Sequence, residues 1–202
     1  MKHSFIFISY LFALVVSVSN VSLPILIKGE PSIDNVHLTR IGQFGIWRDD
    51  RPGVPGHFHT GIDIMRPSSN YHNEPIFSIA NGIVISKRDD GPYAQLIIEH
   101  QINEKKFWTV YEHIAGIQVS FNDTVETGIP IARFMNKDEL DQYGWQFDHL
   151  HFEVLKTKPI KLATDPDRPE RHYKSYSLVC YTRDDLNRYF YNPIEFFMLT
   201  LR

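Results

Sequence analysis

The chain has one cysteine, Cys180, in 202 residues, so no internal disulfide can hold it together and the fold must rest on burial or on a bound metal. The thiol sits in the apolar, strand-like stretch SLVCY, which marks it as a buried structural residue rather than a nucleophile. A charge excess is missing as well: 21 Lys and Arg stand against 24 Asp and Glu, a formal net charge of -3. The basic residues are dispersed rather than gathered into a patch, which removes nucleic acid as a partner. Internal repeats and low-complexity tracts are absent, and helical periodicity is weak before residue 183.

What is present begins with MKHSFIFISYLFALVVSVSN. Lys2 precedes an apolar run from Phe5 to Val18, with the small residues Ser17 and Ser19 placed for cleavage, so residues 1–19 are expected to be a signal peptide. The alternative is an uncleaved N-terminal anchor, because Val21 to Ile27 is apolar again and the two runs together reach the ~20 residues of a membrane span. Either way the remainder is expected outside the cytoplasm: periplasmic, in the cell envelope or extracellular. Membrane contact is expected only for the anchored form.

Residues 20–41 read as a linker or N-terminal segment, and 42–202 as one domain. RDDRPGVPG, 48–56, is a turn-rich loop. The segments TGIDIM, PIFSIANGIVISKR, AQLIIEHQ, KFWTVYEHI, IPIARF and HLHFEVLK are short, rich in β-branched and aromatic residues, and separated by Gly, Pro, Asn and Asp; they predict an all-β domain. RDDLNRYF and NPIEFFMLTL, near the C-terminus, fit short helices or terminal strands. The polar stretch 156–175 reads as a long surface loop, part of a loop-rich C-terminal extension.

Two histidine clusters carry the chemistry. As a strand, DHLHFEV puts His149, His151 and Glu153 on one face and Leu150, Phe152 and Val154 on the other. In HTGIDI the same alternation aligns His59, Gly61 and Asp63, with Ile62 and Ile64 opposite. A straight strand would hold His59 and Asp63 ~13 Å apart at Cα, too far for a shared ligand sphere, so the chain is expected to bend at Gly61. His59, Asp63 and His151 plus a water would complete a four-coordinate zinc site with one open position, the catalytic pattern. His149 is then spare. His113 in TVYEHI, grouped by alternation with Thr109 and Tyr111, supplies a second spare imidazole. Such groups beside an activated water can orient it, take its proton and stabilise the developing oxyanion.

At these residues the chain resembles the lysostaphin and LytM-type zinc endopeptidases, the duplicated hybrid motif family of peptidoglycan DD-endopeptidases. The resemblance runs through HFHTGIDI, PIFSIANGIVI, TVYEHI, NDTVETGIPIA, HLHFEV and the closing NPIEFF, covering roughly residues 42–155 and 192–197 in the family's order. It implies a compact antiparallel β-sandwich or barrel-sandwich hybrid whose groove holds one Zn²⁺ per chain. By motif position, His59, Asp63 and His151 match the metal ligands, and His113 and His149 the histidines that assist catalysis. The implied activity is hydrolysis of peptide bonds in peptidoglycan cross-links or bridges by metal-activated water, with peptidoglycan as the partner and a monomer as the expected state. The alternative is a non-catalytic binding or activator module on the same fold.

This chain departs from the family's small glycine-rich turn before HxH, having MNKDELDQYGWQFDHLH instead, with Trp145, Phe147 and Asp148 next to the site. Asp148 reads as a turn or strand-edge residue. His57 shares a face with His59 and is a candidate supporting group, as are Glu153 and Tyr111. His72, His100 and His172 lack motif context and are expected at the surface. His37, in the N-terminal segment, is a candidate for capping the open metal position in a latent form.

Overall fold

The computed structural model describes residues 21–175 and 180–201. The expected signal peptide or anchor, 1–19, lies outside the described residues. Among those described, no helix is long and apolar enough to cross a membrane.

A mainly antiparallel architecture forms, as the alternating patterns predict. The main sheet contains β1 (Ile62–Met65), β2 (Gly82–Arg88), β3 (Gln95–Ile102), β4 (Lys105–Glu112), β5 (Thr124–Val125), β6 (His149–Leu155) and β7 (Phe190–Tyr191). Its order is β7-β6-β4-β3-β2-β5, and β1 pairs with the first half of β6 on the edge whose second half takes β7. A smaller sheet packs Pro75–Phe77, Pro130–Phe134 and Ile114–Ala115 side by side. The core lies between the two: Ile62, Ile64, Val84, Leu96, Ile98, Leu150, Phe152 and Val154 from the main sheet meet Ile76, Ile114, Ile131 and Phe134. Alternation therefore dictates the layers, since each of these strands turns its apolar set inward.

The other face of the main sheet is also partly covered. Ile97, Trp108, Val110 and Leu155 project there and are buried under Cys180, Leu186 and Phe190 of the C-terminal extension. Cys180 is a core thiol, and burial pushes it up to about 11. The two ambiguous C-terminal segments are helices, α2 (Arg183–Tyr189), capped by Thr182, and α3 (Pro193–Thr200), capped by Asn192. Phe197 of α3 stacks on Phe152 with ring centres 5.7 Å apart. One further helix, α1 (Lys137–Tyr143), was not foreseen. Its signal was the N-x-x-E of Asn136 and Glu139, which form a reciprocal capping box.

The 156–175 stretch is mostly loop, with Ile160–Lys161 and Tyr173–Lys174 pairing as a small hairpin. It crosses to β2, where the Ser86 hydroxyl accepts from the backbone of His172 and Tyr173 at 2.9 and 3.1 Å. Residues set apart as an N-terminal segment contribute Val21, Leu23, Ile25 and Ile33 to the core, and Val21 bridges to Leu201.

Candidate metal centre

Residues 59–61 bend between the short strand His57–Phe58 and β1, which brings His59 back over Asp63. The reason for glycine at 61 is close approach: a Cβ there would stand 2.3 Å from the carbonyl oxygen of Phe152 on β6. That approach lets β1 pair with β6 so that Asp63 lies directly opposite His151. Ile62, Ile64, Leu150 and Phe152 anchor both strands in the core, and their neighbours in sequence are thereby turned to the other face.

His59, Asp63 and His151 are all buried and present three ligand atoms to one another. Nε2 of His59 is 3.1 Å from Oδ1 of Asp63 and 3.0 Å from Nδ1 of His151, which is itself 2.9 Å from Oδ1 of Asp63. Ligands at the usual zinc distances of ~2.0–2.1 Å in a tetrahedron would stand ~3.3 Å apart, so the triangle needs to open only slightly. The remaining ring nitrogens are committed elsewhere. Nδ1 of His59 donates to the carbonyl of Gln43 at 2.9 Å, and Nε2 of His151 lies 3.0 Å from Oε1 of Glu153, which also accepts from the Thr60 hydroxyl at 2.5 Å. With those protons directed outward, three acceptor atoms converge and demand a proton or a cation between them. The donor set, two imidazoles and one carboxylate, fits zinc.

The electrostatics express the same demand. Burial alone would lower His151, but hydrogen bonds to Asp63 and Glu153 outweigh it and raise the imidazole to about 10. Burial would raise Asp63, yet the hydrogen bonds from His151 and His59 hold its carboxyl well below the usual range. His59 is lowered, chiefly by burial, against the pull of Asp63.

His149 and His113 stand beside the triangle. Nε2 of His149 is 3.7 Å from Oδ1 of Asp63, and the His113 and His149 ring centres are 4.8 Å apart. His113 is placed differently from the strand alternation expected. β4 ends at Glu112, and His113 adopts a left-handed backbone, φ 62°, which breaks the alternation and turns its ring toward the site rather than along the Tyr111 side. Its Nδ1 donates to the Pro92 carbonyl at 2.7 Å, leaving Nε2 with a lone pair. Burial lowers both rings, His149 to about 4, so each is neutral near pH 7 and able to accept a proton.

Arg48 was missed in sequence. Paired opposite His57 in the Trp47–Arg48 strand, it reaches Oδ2 of Asp63 with Nη2 at 2.6 Å and so leaves only Oδ1 for the metal side. Among turn residues and next to Asp49 and Asp50, it carried no local signal. Gln43, which contributes only its carbonyl, could not have been identified by residue type at all.

Several supporting candidates fall elsewhere. Tyr111 is buried in the core, its hydroxyl accepting from the Ile79 backbone at 3.1 Å. His57 is buried and bonded to the Pro55 carbonyl at 2.8 Å. His37 is exposed, its carbonyl accepting from Met65. His100, expected at the surface, is 1 % exposed, because it faces the core side of β3. Asp148 ends the Trp145–Phe147 turn and is ion-paired with Arg66 at 2.7 Å, a structural role as read from sequence. Phe147 and Tyr93 pack on His113 at 5.0 and 5.7 Å, forming an aromatic flank to the site.

The sequence profile of peptidase family M23 matches residues 57–163, just over half the chain. No curated protein matches in sequence. Among solved structures, lysostaphin from Staphylococcus simulans is 17 % identical with a TM-score of 0.50, covering 83 % of this chain and 52 % of its own. A zinc-containing peptidase from Vibrio cholerae is 25 % identical with a TM-score of 0.47, over 67 % of this chain and 36 % of its own. A chain of the SpoIIIAH–SpoIIQ complex is 19 % identical with a TM-score of 0.46, over 68 % of this chain and 92 % of its own. The chain thus spans about half of lysostaphin and about a third of the Vibrio protein.

Proposed function

The chain belongs to peptidase family M23, and from that premise we propose that it is an exported, monomeric zinc endopeptidase that hydrolyses peptide bonds in peptidoglycan cross-links or bridges. The observation that carries this reading is the triangle of His59, Asp63 and His151 with two neutral imidazoles at its side. Zinc held there supplies the Lewis acidity that makes water a nucleophile at neutral pH and polarises a peptide carbonyl.

The chain's own residues divide the remaining work. His149, with Nε2 3.7 Å from Oδ1 of Asp63, takes the proton from the attacking water at a ring nitrogen and returns it to the departing amine. His113 offers the Nε2 lone pair on the same side, its ring fixed by the Pro92 carbonyl, and orients the attacking water by accepting a hydrogen bond from it. Arg48 and Glu153 hold Asp63 and His151 in their ligating orientations. No covalent enzyme intermediate is needed, since none of these groups is placed as a nucleophile.

A second reading, a non-catalytic binding module, draws on the Tyr93 and Phe147 rings packed against His113, which give the site an aromatic flank. The two are separated by mass spectrometry of purified peptidoglycan after incubation with the protein, with and without a zinc chelator. Chelator-sensitive conversion of cross-linked muropeptides to monomers is expected. His149→Ala should lose that activity by about 10²–10⁴-fold while keeping zinc. A folded, zinc-loaded protein that cuts nothing would favour the binding module, and loss of zinc from His149→Ala would mean that ligand and base are exchanged.

A further inference from the structure

The metal centre is one end of a row of side chains that crosses the main sheet. Strand register places Asp63 opposite His151, His151 opposite Glu112, Glu112 opposite Gln95 and Gln95 opposite Arg88. Directly opposed residues share a face, and with strands ~4.8 Å apart the row runs about 14 Å from His151 to Arg88. Gln95 donates to Glu112 in the middle of it.

At the far end three guanidinium groups gather. Arg88 and Arg168 both grip Asp90, Arg88 at 2.8 and 3.1 Å and Arg168 at 2.9 and 3.0 Å, and Arg168 also reaches Asp165 at 3.3 Å. Arg171 is brought alongside by its neighbours, since Lys87 donates its backbone N–H to the Glu170 carbonyl and His172 donates to the Ser86 hydroxyl. Among the described residues the Arg171 guanidinium makes no hydrogen bond, and Nε is buried without a partner. Burial, with Arg88 and Arg168 next to it, pulls its pKa down, against the weaker attraction of Asp90 and Glu112. Among the described residues, Arg88 and Arg168 are ion-paired and Arg171 is not.

We infer that Arg171 is a subsite for a carboxylate on the peptide substrate, at the Arg88 end of a row that an extended chain of about four residues would span from the bond that is cut. The guanidinium fork suits a planar carboxylate, as Arg168 on Asp90 illustrates. A more highly charged anion would meet Asp90 and Glu112. Tyr93 links the two ends of the row: Arg88 lies over its ring at 5.8 Å, and its ring centre is 5.7 Å from that of His113. The position of the cut bond rests on the metallopeptidase reading, whereas carboxylate recognition does not.

The test uses the zinc-loaded full chain and synthetic cross-linked stem peptides, with free carboxylates or with them amidated. Affinity is read by fluorescence anisotropy, or as KM where the peptide is cut, and cleavage by mass spectrometry. Amidation should weaken binding to the wild type about tenfold or more. Arg171→Gln should weaken the free-carboxylate peptide equally, leave the amidated one unchanged and retain zinc and melting temperature, and Arg171→Lys should regain part of the preference. Amidating only the terminal or only the side-chain carboxyl identifies which one is read. Equal affinity of the two forms for the wild type, no binding of either, or a preference that survives in Arg171→Gln overturns the subsite. Equal cleavage of both forms would do so while leaving the peptidase reading intact; carboxylate-dependent binding without cleavage would keep the subsite and remove the peptidase.

Discussion

His151 and His100 are both strand histidines of one sheet, 7 % and 1 % exposed, yet the sheet uses its two faces to make opposite objects of them. His151 faces the candidate metal centre with a carboxylate within reach of each ring nitrogen, and is raised to about 10. His100 faces the core, stacked on Phe107 at 4.9 Å, with the Asn81 carbonyl 2.9 Å from Nδ1 and the Thr109 hydroxyl 2.8 Å from Nε2. Burial dominates there and lowers it to about 4. Depth in the protein therefore does not make a ligand. What separates the two is whether neutral or anionic acceptors surround the ring.

The largest effect should come from breaking that difference at the metal side. His151→Ala or Asp63→Ala should abolish stoichiometric zinc, with peptide hydrolysis falling by about 10³-fold or more, whereas His100→Gln should leave the zinc content measured by elemental analysis unchanged. Retention of zinc by His151→Ala would place the metal elsewhere. The next largest concerns the backbone that joins β1 to β6. Gly61→Ala must displace the Phe152 carbonyl, and a loss of about 3 kcal/mol in a denaturant titration is expected, the upper end for overpacking, because backbone cannot swing aside as a side chain can.

The core histidine then gives a pH signature of its own. In the unfolded chain it titrates near 6.5 and in the fold near 4, so between those values the unfolded state binds more protons. The stability is fully present above pH 6.5 and is lost as the pH falls through 4, by about 3 kcal/mol in all. Thermal melts of His100→Gln against wild type across pH 4–7 should show the difference shrinking toward acid; parallel curves would remove His100 as its cause. Smallest is the support to His151. Glu153→Gln keeps the shape and removes the anion, and zinc affinity by competition titration should weaken about 10–100-fold. The raised His151 adds that zinc must displace a proton near neutrality, so affinity should climb as pH rises toward 10.

Much of this site was legible because strand alternation is a local rule. A period of two puts His149, His151 and Glu153 together and apolar residues behind them whatever the rest of the chain does, whereas His59 joins them through the bend at residues 59–61. His113 shows where the rule stops. One left-handed residue past the end of β4 is enough to cancel alternation, and a histidine there gives no sign of it. His100 shows the converse: without a motif, a core position and a surface position read alike, although the alternation of β3 with Leu96 and Ile98 was available to decide it.

Residue type and spacing alone determined an all-β chain with a His, Asp and His donor set and two spare imidazoles. Only the tertiary structure decided what holds them. Arg48 on Asp63, Gln43 on His59 and Arg171 at the end of the sheet row reach their places through pairings between separate segments, across a loop for the first two and across more than eighty residues for the third. Such pairings are fixed by which apolar faces can be buried together, and a linear pattern records the faces but not their partners.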